Sequence, residues 1–561
     1  MLIVFHGLLT SQALCQNPLW IPPIEEGPIF YLSEDSSSKE FLSGIQTPTY
    51  GMNGNFLAPT LIFQKDEWVQ LQVTNNLSEL STMHWHGMHV PAETDGGPLT
   101  PILPGETWIV AYQVLNDAGT YWYHPHPHGQ TTAQVNMGLA GMIIVRDEVE
   151  SNLNLPRTYG LDDIPLIIQD KTFDENGALL PIGFGDTMMV NGTLNPVSDV
   201  PAQMIRFRAL NASNGRAYNL GIEDSVNMYQ IGVDDGLLEQ PILVDRILIS
   251  PGERVEFLLD LSQHEGDTLQ LMSYGSEMPM GVTGSDVVAG VPGGMSPLNG
   301  ADFPILHLQV GPPSGDSIMS IPDTLVAPYI IPDTSEVDVV RTITMTGGVG
   351  GPAVPGFLFD NTPFDMAVVN HTVTLGDTEI WEIVNETILA HPFHIHDEEF
   401  FILDRNGIPP SEQEQGPKDV VLVLPDETVR FIIQFEDFAD PEISYMYHCH
   451  ILPHEDEGMM GQFLVLDSTA TMDLMDEKNS QISVFPNPNE GFFTASMKNW
   501  NGEQLTLRLM HITGSLIEER IFPGSYGEFV TSFAVPELAA GVYLLEIGLG
   551  KERKTIKILK Q

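Results

Sequence analysis

Leu103–Val110 reads LPGETWIV, and the same pattern returns as SPGERVEF at Ser250–Phe257 and as LPDETVRF at Leu424–Phe431. In each copy a Pro-Gly or Pro-Asp pair, which favours a tight turn, precedes the polar and apolar alternation that is typical of a β-strand. A pattern that recurs at wide spacing predicts repeated structural units. The chain is therefore expected to contain three related β-domains.

Two further patterns accompany this turn and strand. An apolar alternating run ends in VTNN at Val73–Asn76, in ALNA at Ala209–Ala212 and in IVNE at Ile383–Glu386, at a similar offset from each turn. GLAGMIIV at Gly138–Val145 returns as GMMGQFLV at Gly458–Val465, the expected closing strand of the first and last units. Strands separated by turns, with little amphipathic helix, predict an all-β chain of β-sandwiches with boundaries near residues 150, 325 and 470.

The chain carries a strong negative charge. Its 561 residues include 23 Lys and Arg against 75 Asp and Glu, a formal charge of −52 at pH 7. A field of this sign repels the phosphates of nucleic acids and the surface of anionic membranes. Neither is an expected partner, and the acidity is interpreted as a solvated surface.

Residues 481–561 differ from the rest of the chain. They contain eight basic and eight acidic residues, whereas the first 480 residues contain 15 and 67. They include FPNPNEGFF at Phe485–Phe493 and, near the end, KTIKI at Lys554–Ile558. This tail resembles the C-terminal sorting domain that Bacteroidetes-type bacteria use for type IX secretion. The resemblance implies a small β-sandwich at 480–561, contact with the secretion machinery, and a secreted or cell-surface protein; an appended binding domain is the alternative.

The first fifteen residues, MLIVFHGLLTSQALC, form a short apolar stretch that ends with small residues at −3 and −1 of a cut before Gln16. This pattern resembles a signal peptide at 1–15 and is too short for a membrane span. No Lys or Arg precedes Lys39, so the usual basic region is missing, and a first core strand is the alternative. If the cut is made, Cys449 is the only cysteine left and has no disulfide partner.

Eleven of the 17 histidines, together with Cys449, fall in four short windows, which are HWHG at His84–Gly87, HPHPH at His124–His128, HPFHIH at His391–His396 and HCHILPH at His448–His454. A single His-x-His pair is weak evidence, because alternate strand positions share a face for any purpose. Several imidazoles with one thiolate and a thioether, however, form a donor set for copper. Zinc fits less well, since structural zinc sites favour more thiolates.

The HCH triplet predicts how two metal sites are joined. Along an extended segment His448 and His450 face one way and Cys449 faces the other. The cysteine can therefore bind one copper while its two neighbours bind others. Covalent bonds would then connect a site where electrons enter to a second cluster.

These four motifs, in this order, resemble those of the multicopper oxidases, especially the bacterial three-domain laccases and copper-efflux oxidases, over roughly residues 40–467. The resemblance implies three cupredoxin-like β-sandwich domains, with a trinuclear copper site between the first and the last. The predicted divisions are a signal peptide at 1–15, cupredoxin domains at 16–150, 151–325 and 326–470, and the sorting domain at 480–561.

The resemblance also implies four copper ions and a ligand for each. The type 1 ligands would be His391, Cys449, His454 and Met459, with Met460 less favoured as the axial group. The remaining ligands would be His84 and His394 for type 2 copper, His86, His124 and His450 for one type 3 copper, and His126, His396 and His448 for the other. His89 and His128 match no ligand position and are expected to lie in a second shell or at the surface.

The family's reaction implies single-electron oxidation at type 1 copper and four-electron reduction of O2 to water at the trinuclear site. Asp95, in ETDGG, and Glu455, directly after His454, match the family's proton-relay positions. Surface carboxylates in an acidic protein are the alternative for both.

The substrate is expected to be a phenol or an aromatic amine. Efflux oxidases that act on Cu(I) carry an acid and a Met ahead of HPFH, where this chain has Thr387-Ile388-Leu389. Oxidation of Cu(I) or of another metal ion is the alternative. Asp397-Glu398-Glu399, which replaces the usual Gly after HIH, is expected near the type 1 edge, favouring cationic donors, or in a solvated loop.

Two classes without oxidase activity also stay open, a copper-less scaffold for binding and a copper-binding electron carrier. Scaffold members of the family lose ligands, and a carrier would not need the His-x-His pairs of the first domain. The protein is expected to be monomeric.

Overall fold

The computed structural model describes most of the chain, namely residues 16–222, 226–286, 296–335, 337–348 and 356–467, and in the tail 482–485, 491–501, 504–511, 515–524, 526–536, 538–539, 541–549 and 552–560. The predicted signal peptide at 1–15 lies outside the described residues. The chain divides into two compact units, residues 1–468 and 469–561.

Two four-stranded sheets form the first sandwich. In hydrogen-bonded order their strands are Ile45–Met52, Ile29–Leu42, Trp68–Asn75 and Thr107–Gln113 in one sheet, and Ile24–Glu26, Thr60–Gln64, Gly141–Arg146 and Gly119–Tyr123 in the other. Phe30 and Leu71 of one sheet and Phe63 and Ile143 of the other pack in one buried core. Alternation along Trp68–Asn75 turns every second side chain into this core.

The middle sandwich has larger sheets. The strands of one are Asn17–Pro18, Pro196–Pro201, Asp302–Gly311, Thr268–Tyr274, Tyr218–Ile222 and Ile247–Ile249, and those of the other are Thr193–Leu194, Thr187–Val190, Asp163–Lys171, Met204–Asn211, Arg254–Asp260, Met228–Val233 and Gly236–Val244. Phe207 and Phe257 of one sheet meet Leu220 and Leu308 of the other in its core.

The third sandwich holds the second half of the candidate site. One sheet comprises Leu358–Phe359, Val339–Thr346, Thr378–Asn385, Thr428–Gln434 and Phe400–Arg405, and the other comprises His371–Thr374, Met460–Leu466, Tyr445–Cys449, His391–Ile395 and Val420–Val423. Trp381 and Phe431 of the first sheet pack with Phe393 and Cys449 of the second. The motif strands His391–Ile395 and Tyr445–Cys449 are therefore anchored in a core.

The tail unit has its own core. Its strands are Ile482–Phe485, Phe492–Asn501 and Tyr526–Ala534 in one sheet, and Leu516–Phe522, Leu505–His511, Gly541–Leu549 and Glu552–Lys560 in the other. Phe493, Phe533, Leu507 and Leu545 pack together between them. The predicted all-β class is confirmed.

Helices are few in the described residues. The α-helices are Ala92–Asp95, Thr131–Met137, Glu148–Ser151 and Leu452–Asp456, and the 3-10 helices are Gly275–Glu277 and Glu412–Glu414. Across the described part of the chain, no helix has both the length and the apolar character that a membrane span requires.

A repeated asparagine explains why the sequence patterns recur together. In each sandwich its side-chain amide donates to the carbonyl that lies two residues ahead of the turn proline, from Asn75 to Ile102 at 2.8 Å, from Asn211 to Ile249 at 3.1 Å and from Asn385 to Val423 at 3.0 Å. Its backbone carbonyl accepts from the N–H of the turn residue that follows the proline, Gly105, Gly252 or Asp426. The three turns are thus tied to the neighbouring strand by the same hydrogen bonds. The predicted boundaries between the sandwiches remain a prediction.

Candidate metal centre

Eight buried histidines converge between strands of the first and third sandwiches. His84 and His124 pair through backbone hydrogen bonds of 2.9 and 3.1 Å, and His394 lies directly across the sheet from His448. The whole set is His84, His86, His124, His126, His394, His396, His448 and His450. Two His-x-His segments from each sandwich therefore supply the cluster.

The cluster contains three-membered groups whose ring nitrogens lie within 4.8 Å of one another. These groups are His84, His394 and His396; His84, His86 and His124; and His126, His396 and His448. The ring of His450 lies 5.0 Å from that of His86 and 5.5 Å from that of His124. The eight histidines predicted for type 2 and type 3 copper are thus brought together, with the rings of His84 and His394 5.9 Å apart. Their division among copper types remains a prediction.

The histidine nitrogens fit metal ions because many of them form no hydrogen bond to the described part of the chain. The Nδ1 atoms of His84, His124 and His394 hydrogen-bond to backbone carbonyls at 3.0, 2.9 and 2.9 Å, while their buried Nε2 atoms have no partner. Within the described residues, neither ring nitrogen of His86 or of His450 forms a hydrogen bond. Unsatisfied buried polar atoms are costly, and metal-binding histidines typically donate their other ring N–H in this way.

Burial lowers the pKa of most of these imidazoles and so favours their neutral form, as metal ligation requires. Burial lowers the pKa of His450 to about 3, and it lowers that of His396 to about 4 although Asp95 opposes it. The indole of Trp122 stacks on His124 with ring centres 4.1 Å apart and helps to bury the cluster.

A second group lies on the other side of the HCH triplet. Cys449 Sγ lies 3.5 Å from Nδ1 of His391 and 3.7 Å from Nδ1 of His454. Met459 packs in the same buried core as Cys449, and its backbone carbonyl accepts the backbone N–H of Cys449 at 3.0 Å. Met460 packs instead with Phe364 and Met446. The predicted type 1 residues are therefore neighbours.

Two further features shape this group. Burial raises the pKa of the Cys449 thiol, so a thiolate there needs a cation beside it. Thr387 Oγ1 lies 2.8 Å from Nε2 of His391, which leaves Nδ1 facing the sulfur. Phe357 packs against both imidazoles, 4.7 Å from the ring of His391 and 4.6 Å from that of His454. His454 is only partly buried and gives the group an edge toward solvent.

The two predicted relay acids contact the eight-histidine cluster and are buried, not at the surface. Asp95 Oδ2 accepts from Nδ1 of His396 at 2.8 Å. Burial raises the pKa of Asp95, but His396 and His84 outweigh burial and bring it well below its usual value. Glu455 Oε1 and Oε2 lie 3.4 Å from Nδ1 of His126 and His448, and burial raises its pKa well above the ordinary value.

Of the three acids after HIH, Glu399 is exposed, as a solvated loop would have it, whereas the other two are not. Asp397 and Glu398 are buried, and Glu398 Oε2 lies 3.4 Å from Nδ1 of His89. Asp397 accepts the backbone N–H of Val90 at 3.1 Å and has a positive φ of 76°, a backbone conformation that suits the usual Gly. His89 thus lies against these acids, and His128 is exposed.

Sequence reasoning missed Asp419 and Arg254. Asp419 forms a group with His86 and His394 inside the 4.8 Å limit, and Arg254 binds both of its carboxylate oxygens at 2.6 Å. Arg254 belongs to the SPGERVEF repeat, but nothing local to either residue signals that they meet 165 positions apart. At Thr387 the sequence indicates only that the acid of the efflux oxidases is missing, and not the contact between its hydroxyl and His391.

This fold and this set of donor atoms are typical of copper-binding β-sandwich proteins. Models described as multicopper oxidase match residues 35–150 and 336–469, and one described as a secretion system C-terminal sorting domain matches residues 483–561. A multicopper oxidase, mco, of Staphylococcus haemolyticus is 32% identical over 451 residues, which cover 78% of this chain and 88% of the relative. The chain belongs to the multicopper oxidase family.

Other similar proteins differ in their stated roles. The cell division protein FtsP of Photorhabdus laumondii is 32% identical over 467 residues, or 80% of this chain and 93% of that protein. The structure of CueO, a laccase-like multicopper oxidase from the lignin-degrading bacterium Ochrobactrum sp., superposes with a TM-score of 0.71 at 31% identity, covering 80% of this chain and 100% of that one. Both resemblances drawn from the sequence, to multicopper oxidases and to sorting domains, are confirmed, as are the cupredoxin-like sandwiches.

Proposed function

We propose that the protein is an oxidase that couples one-electron oxidation of a phenol or aromatic amine to the four-electron reduction of O2 to water. The observation that carries the proposal is the HCH triplet. Cys449 lies in a group with His391 and His454, while His448 and His450 lie in the eight-histidine cluster. A single peptide segment therefore connects the two groups through covalent bonds.

The residues present are suited to four copper ions. His391, Cys449, His454 and Met459 would hold one ion, and the eight buried histidines would hold three. Copper held by these residues would supply one-electron redox chemistry. The protein holds the donor atoms in place and excludes water from the buried cluster.

Asp95 and Glu455 are proposed to deliver the protons that water formation consumes. Each is buried, and each carboxylate faces histidines of the cluster, Asp95 at His396 and Glu455 at His126 and His448. General acids must lie within reach of the group that receives the proton, directly or through one water. Both carboxylates meet this requirement at the edge of the cluster.

The residues around Nε2 of His391 favour an organic molecule as the electron donor. Its Nε2 contacts the hydroxyl of Thr387, and the next residue, Ile388, is 54% exposed. A metal ion would gain from a carboxylate at this edge, which Thr387-Ile388-Leu389 does not supply. An uncharged aromatic ring can instead pack on the exposed apolar side chain.

One observation favours metal-ion oxidation as the second candidate. Met280 is 85% exposed, and the carbonyl of the following residue, Gly281, accepts the N–H of Ala390 at 2.8 Å, next to His391. A thioether at that place could bind a soft metal ion such as Cu(I) before it is oxidised. Met278, by contrast, packs against a small buried cluster, as expected for a packing residue. The predicted ligand set opposes a copper-less binding scaffold, because every predicted ligand is present.

The proposal is tested by oxygen uptake of copper-loaded protein with phenols, aromatic amines, Cu(I), Mn(II) and Fe(II), with metal analysis of the same samples. Uptake that is fastest with phenols or aromatic amines supports the proposed substrate class. Uptake with metal ions alone would replace that class by the second candidate. A fully loaded protein that consumes no oxygen with any donor would refute oxidase activity.

We also propose export to the cell surface or the medium through the secretion machinery that the tail fits, and action as a monomer.

A further inference from the structure

A turn of the middle sandwich reaches the histidine cluster, although the ligand motifs come only from the first and third sandwiches. Gly252, in the SPGERVEF repeat, has a φ of +87° and lies against the ring of His450. A β-carbon at this position would come within 2.6 Å of Cδ2 of His450. In the first repeat the corresponding Gly105 has nothing within 4 Å of that point. The middle turn therefore packs so closely against His450 that only glycine leaves room for the ring.

Arg254, two residues further on, forms a two-pronged ion pair beside the same cluster. Its two terminal nitrogens bind Oδ1 and Oδ2 of Asp419 at 2.6 Å each, and its Nε donates to the carbonyl of Thr120 at 3.1 Å. Both side chains are almost fully buried. The planar guanidinium matches a carboxylate in this geometry and fixes its orientation.

Asp419 in turn contacts two of the predicted copper ligands. Its backbone carbonyl accepts Nδ1–H of His394 at 2.9 Å, and its Oδ1 lies 3.4 Å from Nε2 of His86. The rings of these histidines stack with their centres 3.8 Å apart. A carboxylate beside Nε2 favours the tautomer that carries its proton there and leaves Nδ1 of His86 to bind a metal.

We propose that Arg254 and Asp419 are positioning residues of the copper cluster, so that the middle sandwich completes the site. This inference rests on the proposed copper function. Arg254 sets the orientation of Asp419, and Asp419 sets the ring orientations of one type 2 and one type 3 ligand. Outer contacts of this kind typically change metal affinity by about 10- to 100-fold when they are removed.

A second buried ion pair provides a matched control. Arg206 binds Glu256 Oε2 through Nε at 2.8 Å and through Nη2 at 2.6 Å, in the strand next to that of Arg254. Both residues are buried as deeply as Arg254 and Asp419. Among the described residues, their other polar contacts are with Glu150, Arg208 and Thr120, and none is with a histidine. A purely structural loss should therefore appear equally in both pairs.

The experiment uses full-length, copper-loaded Asp419→Asn and Arg254→Lys, with Arg206→Lys as the control. Copper per chain is measured during titration with a chelator, together with the electron paramagnetic resonance spectrum of type 2 copper and the melting temperature of the copper-free proteins. Asp419→Asn preserves the shape of the side chain, and Arg254→Lys preserves its charge, so each can fold.

In both test variants the affinity for the trinuclear copper is expected to fall 10- to 100-fold. The type 2 spectrum should change, whereas the type 1 blue band should be retained. Arg206→Lys should lose stability only. Equal copper retention in all variants, or a loss in Arg206→Lys of the same size, would overturn the inference while the copper function stands. Wild-type protein that binds no copper would overturn both, and that outcome is distinct because no variant is needed to see it.

Discussion

Cys449 shows how one residue can serve two sites. Its side chain is fully buried in the core of the third sandwich and lies beside His391, while the peptide bonds on either side lead to His448 and His450. Strand geometry alone turns the cysteine and its neighbours to opposite faces. This consequence of local geometry could be predicted from three letters of sequence, and the structure brings the corresponding groups together.

The proposed relay role of the two buried acids can be tested by isosteric changes. Asp95→Asn and Glu455→Gln keep the shape of each side chain but remove its ability to take up a proton and pass it on. Oxygen reduction is expected to slow by roughly 100-fold, within the usual range for general acid catalysis, while reduction of type 1 copper stays fast. Stopped-flow measurement of the blue band separates these two steps. Unchanged turnover in both variants would rule the relay out.

Glu34 predicts a pH dependence of stability away from the metal centre. It is fully buried beside Ser81, and burial raises its pKa from 4.5 to about 8. The folded state therefore retains a proton that the unfolded chain has lost between these pH values. The stability that Glu34 contributes is fully present below pH 4.5 and is lost as the pH rises through 8.

Glu34→Gln should remove this dependence. Copper-free wild type and variant are expected to have similar free energies of unfolding near pH 5, and the variant should be more stable by a few kcal/mol near pH 9. Urea titrations at both pH values provide the measurement, with the exposed Glu26→Gln as control. A difference that does not change with pH would contradict the assignment.

At the scale of elements, the repeats identify the core strands. Thr107–Gln113, Arg254–Asp260 and Thr428–Gln434 each pair antiparallel with the strand that ends in the repeated asparagine. Turn chemistry and alternation are local properties, so a single sequence displays them. The buried positions of Asp397 and Glu398 could not be predicted, because they depend on the N–H groups of Val90 and Glu436, which only the fold brings near.

The two repeat glycines allow a matched comparison. Gly105 and Gly252 both have positive φ, 83° and 87°, so alanine strains the backbone at either place by about 1 kcal/mol. Only at Gly252 does the added β-carbon meet a histidine ring. Gly252→Ala should therefore lose trinuclear copper and oxidase activity, whereas Gly105→Ala should lose only stability. Metal analysis and thermal melts check this, and equal copper contents would show that the turn does not support His450.

At the scale of the whole molecule, net charge distinguishes the two units. Residues 1–480 carry the entire net charge of −52, and residues 481–561, which make up most of the second unit, contain equal numbers of acidic and basic residues. The tail has its own hydrophobic core and matches the secretion sorting domain as a whole. Its separate composition and core indicate a role independent of the copper chemistry.

Deleting residues 469–561 should therefore block release without abolishing activity. In a host with type IX secretion, oxidase activity is expected to move from the medium or cell surface to the cell interior fractions, with little change in activity per copper. Fractionation with activity assays measures this, and a reporter fused to 469–561 serves as the control. Unaltered export of the shortened chain would contradict the role assigned to the tail.

The most direct test of the central claim compares oxygen consumed with donor oxidised in copper-loaded wild type and in Cys449→Ser. The account predicts about four copper ions per wild-type chain, four donor electrons used for each O2, and no hydrogen peroxide released. Cys449→Ser should keep the trinuclear copper, lose the blue band and consume almost no oxygen. A wild-type protein that binds copper fully yet consumes no oxygen, or a Cys449→Ser variant as active as wild type, would contradict it.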